Sequence, residues 1–144
     1  EAALRLYVSL IPGSSLDWLS GLPADTPSGP AGSVRLAGFT LGDQRYMAIE
    51  AGPLDPFNHS FSIMLECADQ AEIDRLWAAL SDGGSIEQCG WLRDRWGLYW
   101  QIVPKRLGEL MSDPDPDRVK RVTEAMLRMT KFDIAGLEQA AAGN

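Results

Sequence analysis

The sequence predicts an α+β fold made of two modules of similar element order, followed by helices. Three observations carry this reading. Residues 59–67, HSFSIMLEC, alternate Phe61, Ile63, Leu65 and Cys67 with Ser60, Ser62, Met64 and Glu66, the period of a half-buried strand. The segment after it switches to helical spacing, with Ile73, Leu76, Trp77 and Leu80 on one face. Gly and Pro clusters then cut the chain into strand-length pieces.

The first module spans about residues 1–52. Leu4, Val8 and Ile11 recur at helical spacing until Pro12-Gly13 ends the helix. Leu16–Leu19 reads as a short strand, and residues 23–32 as a Pro- and Gly-rich loop. A hairpin follows, with strands at about 33–41 and 44–51 and a Gly42-Asp43 turn. In its second strand Tyr46, Ala48 and Glu50 share one face, and Met47 and Ile49 the other.

The second module spans about residues 59–104, after a loop at 52–58. Asp69 is placed to cap the helix, with Glu72 as reciprocal partner three residues on, and Gly83-Gly84 ends it. In EQCGWLRDRWGLYWQIVP, Gly90 and Gly97 separate short strands, and Leu98, Trp100 and Ile102 face opposite to Tyr99, Gln101 and Val103. Residues 105–144 form a helical extension. Asp115 caps a helix that starts with Pro116 and bears a stripe of Val119, Val122, Met126 and Met129. A last short helix follows Asp133, and the tail AAAGN is expected to fray. The two modules each become βαβββ if a strand precedes Glu1; the repeat is one of element order, with no identity between the halves.

At 144 residues the chain has the length of one domain, and 45% apolar residues with five Trp provide for a core. Its net charge of −7 argues against nucleic acid and against anionic membrane surfaces. Cys67 and Cys89 form no CxxC pair, so a disulfide framework or thiolate zinc site is disfavoured and both read as small apolar residues. No apolar run reaches membrane-spanning length and no secretory signal is visible, so the cytoplasm is the expected location. No Gly-rich phosphate loop follows a strand, so no nucleotide or methyl-donor cofactor is expected.

The stretches EAALRLYVSLIPGS, FTLGDQRYMAI, CADQAEIDRLWAALSDGG and CGWLRDRWGLYWQIVP resemble PhnB-like proteins. These belong to the glyoxalase/bleomycin-resistance/extradiol dioxygenase (vicinal oxygen chelate) superfamily, and are often labelled 3-demethylubiquinone-9 3-methyltransferase domains. The resemblance implies two βαβββ modules enclosing a cleft, a leading strand ahead of the first helix, and a homodimer. It also implies metal ligands on strands, for which Glu50, His59 and Gln101 are the matching positions, with Zn or Ni as the candidate metal. Gln101 is neutral where metal enzymes of the superfamily usually carry Glu, which weakens that set. Glu50 is the candidate catalytic carboxylate, and Tyr46, Trp96, Tyr99 and Gln101 are candidate pocket residues. The expected function is that of a small-molecule enzyme with a candidate divalent metal in the cleft. The alternative is a protein that binds and sequesters a small organic ligand without turnover.

Overall fold

The computed structural model describes residues 1–52 and 55–143. Pro53 and Leu54, within the expected 52–58 loop, and Asn144 lie outside the described residues. The chain divides into two compact units, Glu1–Pro56 and Phe57–Asn144.

The first unit holds helix α1 (Ala2–Leu10) and strands β1 (Ser15–Gly21), β2 (Arg35–Leu41) and β3 (Gln44–Glu50). The strands form an antiparallel sheet in the order β1-β2-β3. Leu41 pairs with Gln44 across the expected turn, where Gly42 takes φ 61°, a conformation that favours glycine. Alternation puts Ala37, Phe39 and Leu41 of β2 on one face, all buried, and α1 packs on β1 and β2 with Leu4 and Tyr7 buried. The other face carries Gly38 and Thr40, and on β3 Met47 and Ile49, both well exposed. β1 is longer than the expected Leu16–Leu19 and contains a bulge between Leu16 and Trp18. The bulge adds one unpaired residue, Asp17, and so breaks the regular alternation that would have marked the strand's full length.

The second unit begins with β4 (Ile63–Cys67), α2 (Gln70–Ser81), β5 (Ser85–Ile86), β6 (Trp91–Arg93) and β7 (Tyr99–Pro104). Its sheet runs β4-β7-β6-β5, with β4 parallel to β7 and the other pairs antiparallel. The Asp69 cap is present: its Oδ1 accepts from the Glu72 amide at 2.9 Å, while the Glu72 carboxylate accepts from the Ala68 amide at 2.8 Å. Ile73, Leu76 and Leu80 are buried, as are Leu92, Trp100 and Ile102 on the sheet face that α2 covers. The expected strand from His59 starts only at Ile63. The Asn58 side chain accepts from the Ser60 amide at 2.8 Å, an Asx-turn that diverts residues 58–60 from extended pairing.

Three helices complete this unit: α3 (Lys105–Met111), α4 (Pro116–Arg128) and α5 (Ile134–Ala142). α3 falls within the helical extension expected over 105–144 but is not separately legible, because seven residues carrying Leu107, Gly108 and Leu110 show too little periodicity. Asp115 and Asp133 cap α4 and α5 as expected, through the amides of Asp117 and Ala135. Leu107, Leu110, Val122, Phe132, Leu137 and Ala141 form a core against which Cys89, Val103, Met126 and Met129 pack. Of the α4 stripe, Val122 is thus buried within its own unit, Met126 and Met129 pack partly buried against the same core, and Val119 stays half-buried. The tail expected to fray is helical through Ala142. Gly143 closes it in the left-handed conformation, and Arg121 donates to the carbonyls of Ala140 and Ala141 at 3.1 Å each. The element order after α1 matches the expected βαβββ scheme, and the fold class is α+β.

Candidate functional site

The second unit's sheet has two unlike faces. Trp100, Ile102 and Leu92 look toward α2 and are fully buried. On the opposite face Gln101 stands beside Met64 of β4 and Trp91 of β6, and Tyr99 beside Arg93. The β6–β7 connection that sets this register is built around Asp94. Its Oδ1 accepts from the amides of Trp96 at 2.9 Å and Leu98 at 3.1 Å, and its Oδ2 accepts from the Trp100 indole Nε1–H at 2.9 Å. Gly97 closes the turn at φ 92°, its amide donating to the Asp94 carbonyl at 3.0 Å.

His59 stands over this face. Its ring centroid lies 4.1 Å from that of Tyr99 and 5.9 Å from that of Trp91. Its Nε2 is 2.8 Å from Oε2 of Glu87. Glu87 is held in turn by its own backbone, whose amide donates to the Trp91 carbonyl at 2.9 Å. Tyr99 is buried, while the His59 side chain is 59% exposed and so presents one ring surface to solvent. The Gln101 amide nitrogen donates to Ser62 Oγ at 2.8 Å. The result is an aromatic surface with a carboxylate, an imidazole, an amide and a hydroxyl around it, the mixture typical of sites for small organic molecules.

Of the residues singled out from sequence, His59, Tyr99 and Gln101 belong to this face. Trp96 sits in the β6–β7 turn with the Arg95 guanidinium 5.6 Å from its ring. Tyr46 and Glu50 lie in the first unit. Tyr46 stacks on Phe39 at 5.4 Å between centroids. Glu50 pairs in register with Arg35, its side chain is 67% exposed, and its carboxylate lies 4.0 Å from the Glu1 amino group. That puts Glu50 on the β3 face shared with Ala48 and Tyr46, which pair with buried Ala37 and Phe39. Glu87, Trp91 and Ser62 were not singled out as site residues. Glu87 lies in an irregular connection before Gly90, where neither period 2 nor period 3.6 assigns a face. Trp91 is one of three tryptophans within 91–100, and spacing alone does not single it out.

The superfamily implies a metal, and the donor set tests it. Among the described residues no three His, Cys, Asp or Glu side chains gather as a metal-binding group. Around His59 there is one imidazole and one carboxylate, already bonded to each other, and the Gln101 amide is directed at Ser62. A catalytic zinc site takes three protein ligands. The described residues of this face do not fit such a site.

No curated protein matches the chain. Among solved structures it is similar to the PhnB protein from Bacillus cereus, which carries a 3-demethylubiquinone-9 3-methyltransferase description. The identity is 28% and the TM-score 0.63, over 72% of this chain and 88% of that one. It is also similar to protein PA1353 from Pseudomonas aeruginosa, at 25% identity and TM-score 0.53, over 72% of this chain and 87% of that one. The family described as 3-demethylubiquinone-9 3-methyltransferase matches residues 1–103, which leaves α3, α4 and α5 beyond the match. With the three-stranded sheet, the capped α2 and the four-stranded sheet through Val103 falling inside that match, the chain belongs to this family, the PhnB-like group with the glyoxalase-like fold.

Proposed function

We propose that this protein binds a small, planar organic molecule on the second unit's open sheet face. The observation that carries the reading is the His59 ring, tilted against Tyr99 at 4.1 Å between centroids and tied to Glu87 at 2.8 Å. A ring ligand would lie on the exposed surface of His59 beside Trp91, with a polar edge toward Gln101 and Ser62. Aromatic pairs of this kind contribute about 0.5–1.5 kcal/mol beyond their buried area. The test uses the fact that His59 is the chain's one histidine, so its ring-proton NMR signals need no assignment. Titration with 2-naphthol should shift those signals saturably, and Trp91→Ala should weaken binding by about tenfold. No saturable shift in the folded wild-type protein would refute the reading.

A second reading has its own observation. An imidazole bonded through Nε2 to a carboxylate leaves Nδ1 to give or take a proton, which is the arrangement of a general acid–base pair. In that case Glu87→Gln would abolish turnover of a bound compound while leaving its affinity nearly unchanged. We also propose that the protein pairs with a second copy, supported by the unpaired outer edge of β3 among the described strands. Sedimentation at several concentrations tests this, and a single 15.8 kDa species throughout would oppose it.

A further inference from the structure

The first unit carries a groove of about 880 Å³ on the sheet face turned away from α1. Register pairing organises its floor into two rows. One row is Trp18, Gly38 and Met47; the other is Ser15, Thr40 and Arg45. The Trp18 indole lies flat on Gly38, so closely that a Cβ there would fall 2.1 Å from Nε1. Glycine at this position is what lets the ring lie down. One indole surface then rests on the backbone and the other faces the groove, with Trp18 43% exposed.

The second row is polar and carries both charge signs. The bulge turns Asp17 into the groove, where its carboxylate accepts from Ser15 Oγ at 2.6 Å and Thr40 Oγ1 at 2.9 Å. Those two hydroxyls hold its carboxyl below the usual carboxylate range. The Arg45 guanidinium and the Asp43 carboxylate line the same groove without a hydrogen bond or ion pair among the described residues, and the Arg45 charge acts on Asp17 through space.

This arrangement selects among ligand classes. A simple anion would meet Asp17 and Asp43, and a simple cation would meet Arg45. A small zwitterion would match both signs, but exposed ion pairs contribute only about 0–1 kcal/mol and leave the indole surface unused. A flat aromatic would use the indole and leave the charged row idle. A pyranose ring has an apolar C–H face and an edge of hydroxyls that both donate and accept. Its neighbouring hydroxyls can bond a carboxylate and a guanidinium together, which are the stronger, charge-assisted kind of hydrogen bond.

We propose that this groove binds a pyranose sugar, with the sugar's apolar face on Trp18 and its hydroxyls on Asp17 and Arg45. The site is shallow and open, so a single disaccharide should bind with a Kd on the order of millimolar.

The experiment is a cellobiose titration followed by the indole N–H signals of uniformly ¹⁵N-labelled protein, with Trp18→Phe identifying the Trp18 signal among the five. That signal should shift saturably in wild type. Arg45→Ala removes an exposed side chain and should leave the fold intact, so it keeps the test decisive even if Trp18→Ala is destabilised. Both variants should weaken cellobiose binding by at least about tenfold. The proposal is overturned if the Trp18 signal does not respond to cellobiose at concentrations on the order of 100 mM. It is overturned equally if the response survives Arg45→Ala unchanged, or if glycine, a zwitterion, produces it in place of the sugar.

Discussion

Replacing Asp94 should destabilise the second unit more than any exposed substitution, because its carboxylate is an acceptor for three N–H groups at once. Asp94 is 2% exposed and Trp100, one of its donors, is fully buried. In Asp94→Ala the amides of Trp96 and Leu98 lie close enough to the surface to be met by water. The Trp100 indole N–H, at 2.9 Å from Oδ2, loses that acceptor in the interior. A hydrogen bond to a charged group contributes about 1.5–3 kcal/mol, and a buried donor stripped of its acceptor costs about 1–3 kcal/mol. The expected loss is therefore about 3 kcal/mol, roughly 6–12 °C in Tm for a chain of this size. Asp94→Asn should fall between. Its single carbonyl oxygen can serve either the two amides or the indole, and its NH2 then points a donor at a donor. Trp100→Phe removes the buried donor, so the double mutant Trp100→Phe/Asp94→Ala should lose less than the sum, with a coupling of about 1–3 kcal/mol. Urea denaturation followed by far-UV circular dichroism measures all four. An Asp94→Ala variant within about 1 kcal/mol of wild type, or strictly additive singles, would refute the account. The same turn holds Tyr99 and Gln101 in register with Arg93 and Trp91, so 2-naphthol binding should weaken in parallel.

Three more outcomes are expected. Gly90→Ala combines a φ of 78° with a Cβ that would fall 2.6 Å from the Phe132 ring and 2.7 Å from the Ile102 carbonyl. It should cost about 2–4 kcal/mol by thermal denaturation, and an unchanged Tm would contradict the packing described. Burial pushes the Cys67 thiol up to about 12, so in Cys89→Ser no thiol should react rapidly with Ellman's reagent at neutral pH, and a fast-reacting thiol would contradict its burial. Lys131, followed by Gln70, holds the Asp74 carboxyl below its ordinary value of 3.8. Because the folded value is the lower one, the stabilisation is complete above the unfolded value and disappears as pH falls through the folded value. Wild type should thus exceed Asp74→Asn in stability at pH 7, with the gap closing below roughly pH 4; a gap independent of pH would remove the ion pair from the account.

The parts of the fold that were legible are those where one local rule acts alone. The Asp69–Glu72 cap, the Pro116 start and the Gly42 turn each depend on a few neighbouring residues, and each appears where the pattern put it. The parts that were missed involve distant partners. The last turn of α5 looks like a fraying AAAGN tail until Arg121, on α4, is found donating to its carbonyls. α3 is too short to show a period, and its Leu107 and Leu110 are explained by a core that only α4, α5 and Phe132 complete. The start of β4 slipped from 59 to 63 because Asn58 makes an Asx-turn, which competes locally with extended pairing.

The same distinction governs the site. Alternation along β7 correctly separated Gln101 and Tyr99 from Trp100, since period 2 needs only the strand itself. It could not supply Glu87, which reaches His59 across 28 residues from a segment with no regular period. Nor could it show that the Gln101 amide nitrogen is directed at Ser62, 39 residues away, and so is spent on a neighbouring loop. The family likeness supplied positions for ligands, but a ligand set is a statement about convergence in space. On the His59 face the convergence is of rings around one imidazole–carboxylate pair. The groove near Trp18 makes the complementary point. Its defining residue is Gly38, which has no side chain to attract notice, and only the flat indole above it shows why a glycine stands in the middle of a strand.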